Sequence, residues 1–299
     1  MKICFLNHSL NNNTGAGRFL LSLTGAFRRI DPNHQSVILT SENLLSGGFF
    51  KIVFRLFKIR SVLKDCQIVH ALDGWPYGVV ATIFSLGLGK KIVITAIGTG
   101  GVQPLQRLFK KKIMIWAYKK ADLVTAVSHN TKREILKVIP DLKIEVINHG
   151  VDFAKYQTSN SKYRSDPNVQ SLKPYILSVG ALKKRKGYDH SVRAFDLISK
   201  EFPDLRYVIV GRGSERFSLN KLIEDLHLNS KVIFFDTIDE NVLMSLYRNA
   251  ELFILLPIDS GKDIEGFGLA FLEAAALGLP VIASRGSSAE DAVKDGVNG

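Results

Sequence analysis

Two carboxylates with seven residues between them, Glu265 and Glu273, bracket the string Glu265-Gly-Phe-Gly-Leu-Ala-Phe-Leu-Glu273. These residue types suit the holding of a ligand that carries both phosphates and hydroxyls. Gly266 and Gly268 remove side chains where a backbone must come close to something. The apolar spacing predicts a helix from near Phe267 to about Gly278, with Leu269 in its first turn. The start of a helix offers unpaired N–H groups and a positive dipole end, a setting suited to a diphosphate. Glu265 falls in the loop and Glu273 more than one turn into the helix. One carboxylate can then accept hydrogen bonds from sugar hydroxyls and the other from ribose hydroxyls. A solvated loop Glu or an exposed helical Glu would account for either residue alone; the whole string is the informative unit.

The elements that must position these groups read as βα units. Short, nearly all-apolar runs at 2–7, 36–40, 66–71, 91–98, 122–128 and 144–148 are each followed by a longer helical pattern. Such runs are parallel strands buried on both faces. A polar stretch, 157–171, reads as an interdomain linker between a domain over 1–165 and a second over 171–299. The pattern then restarts at 175–180, 207–211, 231–236, 252–257 and 280–284, with helices predicted over Tyr188–Glu201 and Glu240–Ala250. The fold class is α/β: two Rossmann-like doubly wound domains, expected to face one another across a cleft. Ligands in open α/β sheets bind beyond the carboxyl ends of the strands. A doubly wound domain ordinarily continues past a segment such as VKDGVNG, so the second domain is expected to be incomplete at Gly299.

The string EGFGLAFLEAAALGLPVIAS (265–284) resembles the signature of the retaining glycosyltransferases of family 4, which have the GT-B fold. The resemblance extends over essentially the whole chain and is strongest from Tyr175 onward. It implies that the second domain holds a nucleotide sugar, that the first supplies the acceptor site, and that transfer proceeds with retention. It also implies that Gly180-Ala-Leu-Lys-Lys-Arg-Lys-Gly187 supplies cations to the donor diphosphate, with Lys186 the best match and Arg185 the next. Ala181 stands where many members carry Arg. Two cations on a diphosphate can take the place of a metal, so neither a metal nor a cofactor is expected. The turn of Tyr207-Val-Ile-Val-Gly211-Arg-Gly213 would line the donor site, and Ile238 would lie near the base, with Asp236 where Gly is frequent. No GxGxxG fingerprint supports nicotinamide binding. Thr14-Gly-Ala-Gly-Arg18 matches the family's glycine-rich loop, with Gly15 as the counterpart. The family's Thr-x-His-Gly turn reads Thr95-Ala-Ile-Gly98 here, with Ile97 in place of the acceptor-side His. His70 and Asp73, just past a strand end, are the remaining acceptor-side candidates, although a lone His there is more often structural.

The net charge of +12 is unevenly spread. Residues 1–170 hold 24 Lys and Arg against 10 Asp and Glu, whereas the remainder holds 16 against 18. The basic half suggests an anionic partner. Phe49–Arg60 and Leu105–Lys120 interleave cations with apolar residues, as amphipathic helices at an anionic membrane surface do. A saccharide or lipid-linked acceptor and peripheral membrane contact are therefore expected, and nucleic acid is not, because the basic residues accompany apolar helices more than stacking platforms. Cys4 and Cys66 are too few for a disulfide framework. No apolar run is long enough for a signal peptide or a membrane span, so a cytoplasmic location is expected. Two other functions fit the same residues: an epimerase of nucleotide sugars, and a truncated, catalytically degenerate binding protein.

Overall fold

The computed structural model describes residues 1–11, 14–41, 58–153, 156, 167–258 and 263–299. The chain forms two compact units, Met1–His149 and Gly150–Gly299. Most of the polar stretch 157–171 lies outside the described residues.

The first unit is built on a parallel sheet of β1 (Lys2–Asn7), β2 (Gln35–Thr40), β3 (Ile68–Leu72), β4 (Lys91–Ala96), β5 (Leu123–Ala126) and β6 (Glu145–Val146). Its spatial order is β2-β1-β3-β4-β5-β6. The second unit has β7 (Tyr175–Val179), β8 (Arg206–Val210), β9 (Val232–Phe235), β10 (Leu252–Leu255) and β11 (Val281–Ala283), in the order β11-β10-β7-β8-β9. Each predicted strand forms at its predicted place, with ends shifted by up to two residues. Burial is greatest at the centre of each sheet, where every residue of β7 is buried, and falls off at the edge, where only Thr40 of β2 is.

Eight helices carry the argument: α1 (Gly15–Ile30), α2 (Val79–Ser85), α3 (Leu108–Lys120), α4 (His129–Leu136), α5 (Tyr188–Ile198), α6 (Arg216–Asp225), α7 (Glu240–Asn249) and α8 (Leu269–Ala276). The Thr14 hydroxyl caps α1 by accepting from the Gly17 N–H, and Arg28 and Arg29 lie at the negative end of its dipole. Phe19, Leu23 and Phe27 of α1 pack on a cluster of Ile3, Phe5, Leu20 and Leu72. In α5, Tyr188, Ser191, Val192 and Phe195 are buried, which is one helical face at i, i+3, i+4 and i+7. Helix α8 starts two residues later than its apolar pattern suggests. Gly268, with φ of 88°, holds a left-handed turn just before it, and Gly278 (φ 74°) follows its end.

Strand order reverses once in each sheet. In the first unit the reversal separates β1 from β3, and in the second β7 from β10. Loops leaving two such neighbouring strands diverge, and the crevice between them is where open α/β sheets receive ligands.

Candidate functional site

In the second unit, the loops after β7 and β10 bring together three residues singled out by sequence. Lys186 Nζ lies 2.9 Å from Glu265 Oε2, and Arg185 Nε donates to the same oxygen at 3.3 Å. Arg185 Nη1 also pairs with Asp263 Oδ2 at 3.1 Å. Lys186 and Glu265 are each only 8% exposed, so this is a buried ion pair. Burial by itself would push the Glu265 carboxyl up; the Lys186 ammonium and the Arg185 guanidinium more than offset it and hold it below the usual carboxylate range.

The backbone explains how the cations arrive there. Lys186 ends a short helical turn, and Gly187 after it takes φ of 65°. A Cβ on Gly187 would stand 1.8 Å from the Leu256 carbonyl oxygen, so only glycine allows the loop to lie against the end of β10. The Ile258 N–H then donates to the Arg185 carbonyl at 2.9 Å, sealing the two loops together. Ser288 Oγ donates to the Glu265 backbone carbonyl at 2.6 Å, a second anchor for this loop. Asp263 was not picked out by sequence. A signal was present in its i, i+2 spacing from Glu265, which places both on one side of an extended segment.

The remaining candidates of this unit divide. Gly211 (φ 155°) and Gly213 are demanded by packing, since a Cβ would meet the Gly180 carbonyl oxygen at 1.9 Å and that of Leu182 at 2.1 Å. The turns after β7 and β8 are thus zipped together, with the Leu182 N–H donating to the Arg212 carbonyl at 2.8 Å. Gly266 and Leu269 are partly exposed, Phe267 is buried, and Gly268 packs against the Phe271 ring. Glu273 is 2% exposed and accepts from the Tyr247 hydroxyl of α7 at 3.1 Å. Ile238 is half-buried in the loop between β9 and α7. Asp236 pairs with Arg216 at 2.8 Å.

In the first unit, Gly15 opens α1 and has open space where a Cβ would stand. The sterically demanded glycine is its neighbour Gly17, whose Cβ would lie 2.1 Å from the Asn11 carbonyl oxygen. Asp73 follows β3 with φ of 106°, a conformation that strains any residue with a Cβ. Its carboxylate accepts from the Gly74 N–H at 3.0 Å and is also bonded by the Ile97 and Gly100 amides. Burial pushes its carboxyl up to about 7 against the pull of those amides. His8 Nδ1 and the Tyr77 hydroxyl lie 3.2 Å apart, linking the segments after β1 and β3. His70 is not past a strand end as expected but within β3, paired in register with Phe5 and Val93. Its Nε2 is 2.7 Å from Thr95 Oγ1, which is 2.8 Å from Thr125 Oγ1, and burial lowers its pKa to about 4. It is therefore a neutral link in a buried polar chain at pH 7. Cys4 and Cys66 are buried free thiols. Among the described residues no three His, Cys, Asp or Glu side chains converge as a metal-holding group. Among them, too, no helix is long and apolar enough to cross a membrane.

Two Rossmann-like parallel-sheet units are the architecture of the GT-B fold, and comparison with known proteins agrees. The structure resembles Anabaena HepE in complex with UDP and glucose, with a TM-score of 0.80 and 20% identity over 100% of this chain and 84% of that one. It also resembles sucrose-phosphate synthase from Thermosynechococcus elongatus (TM-score 0.73, 20% identity, 96% of this chain and 82% of that one). The sequence model "Glycosyltransferase Family 4" matches residues 15–155, and "Glycosyl transferases group 1" matches residues 159–299. The chain belongs to glycosyltransferase family 4. Among curated relatives, a GDP-mannose-dependent alpha-(1-6)-phosphatidylinositol monomannoside mannosyltransferase of Mycolicibacterium smegmatis is 31% identical over 60% of this chain and 48% of its own length. An N-acetyl-alpha-D-glucosaminyl L-malate synthase of Bacillus anthracis is 25% identical over 79% of this chain and 61% of its own. The chain thus spans about half to three-fifths of the length of these relatives.

Proposed function

We propose that this protein transfers a glycosyl group from a nucleotide sugar to a saccharide or lipid-linked acceptor, with retention of anomeric configuration. The observation that carries this reading is the buried cluster of Lys186, Arg185 and Glu265 at the β7–β10 reversal. In that reading a diphosphate competes with Glu265 for the two cations. The cations neutralise the leaving phosphate, and the released carboxylate accepts from hydroxyls of the sugar. Charge neutralisation of this kind is what a departing nucleoside diphosphate requires. The bond from the anomeric carbon to the phosphate oxygen breaks as the acceptor oxygen bonds to the same face of that carbon. The departing phosphate oxygen takes the acceptor's proton, so no separate base is needed. Glu273, held by Tyr247, would accept from the ribose, and Ile238 would flank the base. Asp73, strained and pinned by backbone amides, is the first unit's candidate for meeting the acceptor. The acceptor in the name of the mycobacterial relative is itself a glycolipid, which favours a lipid-linked acceptor here.

The test is a thermal-shift panel of the chain with UDP, GDP, ADP, CDP and their sugar conjugates, repeated in Lys186→Ala. At a hundredfold excess over Kd, a ligand that binds only the folded state adds about 2.7 kcal/mol, several degrees of melting temperature. Stabilisation by one nucleotide family, lost in the variant, supports the donor site and identifies the base. No shift with any of them, from a cooperatively folded chain, refutes it.

A further inference from the structure

We propose that the first turn of α3 docks the protein on an anionic phospholipid bilayer by inserting Leu108 and Phe109 among the lipids. This goes beyond the catalytic reading and does not depend on it. Helix α3 gives the core Met114, Ala117 and Tyr118. Its first two residues give the core nothing: Leu108 is 85% and Phe109 88% exposed. Ile113, four residues on from Phe109 and hence on the same face, is 44% exposed. Two large apolar side chains left fully in water, side by side, signal a surface that meets something apolar.

The charges around them say what. Arg107, Lys111 and Lys112 are exposed beside the apolar pair, and Arg107–Lys120 holds six Lys and Arg with no Asp or Glu. Lys110 Nζ sits 4.6 Å from the centroid of the Trp75 ring, which ties this turn to the body of the unit. Apolar tips ringed by cations match the boundary between acyl chains and anionic headgroups. A nucleic acid would engage the cations but leave Leu108 and Phe109 in water. A second copy of the chain would set six cations against six. Sequence reading pointed to an amphipathic helix lying along the membrane over 105–120. In the structure the apolar flank of that helix is spent on the core, and the tip is the docking element. The other basic stretch, 49–60, lies mostly outside the described residues; of its described end, Ile59 is buried and Arg60 Nη1 donates to the Phe84 and Leu86 carbonyls.

The experiment is co-sedimentation of the full chain, without nucleotide, with vesicles of phosphatidylcholine alone or mixed equally with phosphatidylglycerol. The wild type should sediment with the anionic vesicles and not the neutral ones, and rising salt should release it. Leu108→Ser with Phe109→Ser should lower partitioning by about tenfold per side chain removed. Lys111→Gln with Lys112→Gln should lower it several-fold. Phe217→Ser, at an equally exposed apolar position of the second unit (82% exposed), should change nothing. Because all these side chains are exposed, circular dichroism should report wild-type folding in each variant. The proposal is overturned if the wild type ignores anionic vesicles, if neutral vesicles serve as well, or if the double Ser variant binds like the wild type. Equal loss in Phe217→Ser overturns it too.

Discussion

Replacing Lys186 by Met should destabilise the second unit and weaken the pH dependence contributed by Glu265. At an effective dielectric constant near 20, opposite charges 2.9 Å apart attract by about 6 kcal/mol before desolvation is subtracted. Both groups are 8% exposed, so that subtraction is large. Breaking such a pair from one side nevertheless costs about 3–5 kcal/mol, because the surviving ion stays buried. Arg185 still reaches Glu265 at 3.3 Å, which puts the expected loss at the lower end, about 3 kcal/mol. In the wild type the folded carboxyl is held below its unfolded value. Its contribution is therefore complete above about pH 4.3 and lost as pH falls through the depressed folded value. With Lys186 gone and only Arg185 left to offset burial, the folded value rises towards the unfolded one, and less stability is lost as pH falls through it. Urea unfolding of the wild type, Lys186→Met, Glu265→Gln and the double variant at pH 4, 5.5 and 7.5 measures all of this. The double variant should recover about 2 kcal/mol relative to the sum of the single losses. Additive losses, with parallel pH profiles for the wild type and Lys186→Met, would refute the buried pair.

The first unit offers two more tests. Because the Asp73 carboxyl is raised to about 7 in the fold, its contribution to stability should decline as pH rises from about 4 to 7 and level off above. Asp73→Asn should flatten that part of a melting-temperature profile, and an unchanged profile would count against the assignment. The two glycines at the start of α1 should respond oppositely. Gly15→Ala, with open space around its Cβ, should leave stability within about 0.5 kcal/mol of the wild type. Gly17→Ala, with its Cβ 2.1 Å from the Asn11 carbonyl oxygen, should cost about 2 kcal/mol in chemical denaturation. Equal effects would mean that the loop after β1 does not approach α1 as described.

What could be read from the sequence depended on how local the cause was. A buried parallel strand is written in its own few residues, which is why runs such as Tyr175–Val179 and Arg206–Val210 stood out. The Glu265–Glu273 string was legible for the same reason, its loop, glycines and helix being contiguous. The partner of Glu265 was not, because Arg185 and Lys186 stand about 80 residues away and sequence alone makes them free cations facing a phosphate. The strain at Asp73 was hidden because φ is set by what the turn after β3 must clear. Gly15 was preferred to Gly17 because a motif marks that glycines occur, and only the neighbouring carbonyl tells which one lacks room. The exposed tip of α3 was invisible for the opposite reason: its apolar residues occur on several sides, and packing alone decides which are left over.

The topology explains why the contacts that matter most were the nonlocal ones. In a parallel sheet that winds in one direction, neighbouring loops come from consecutive βα units. At the single reversal, the neighbours are β7 and β10, which are separated by two complete βα units. Residues meeting there can be chosen independently of one another, one loop bringing cations and the other carboxylates. They must then be locked in register by the backbone, because no local sequence constraint does so. Gly187 against the Leu256 carbonyl and the Ile258 N–H on the Arg185 carbonyl are that lock. It follows that Gly187→Ala should damage the cation–carboxylate cluster without touching a charged group. Its positive φ and the 1.8 Å approach require the loop to move, and a shift of about 1 Å is enough to separate Lys186 from Glu265. Loss of any nucleotide-dependent thermal shift in Gly187→Ala, with the second unit still folded, would show that the lock sets the site. An unaltered shift would show that the two loops find their register by another route.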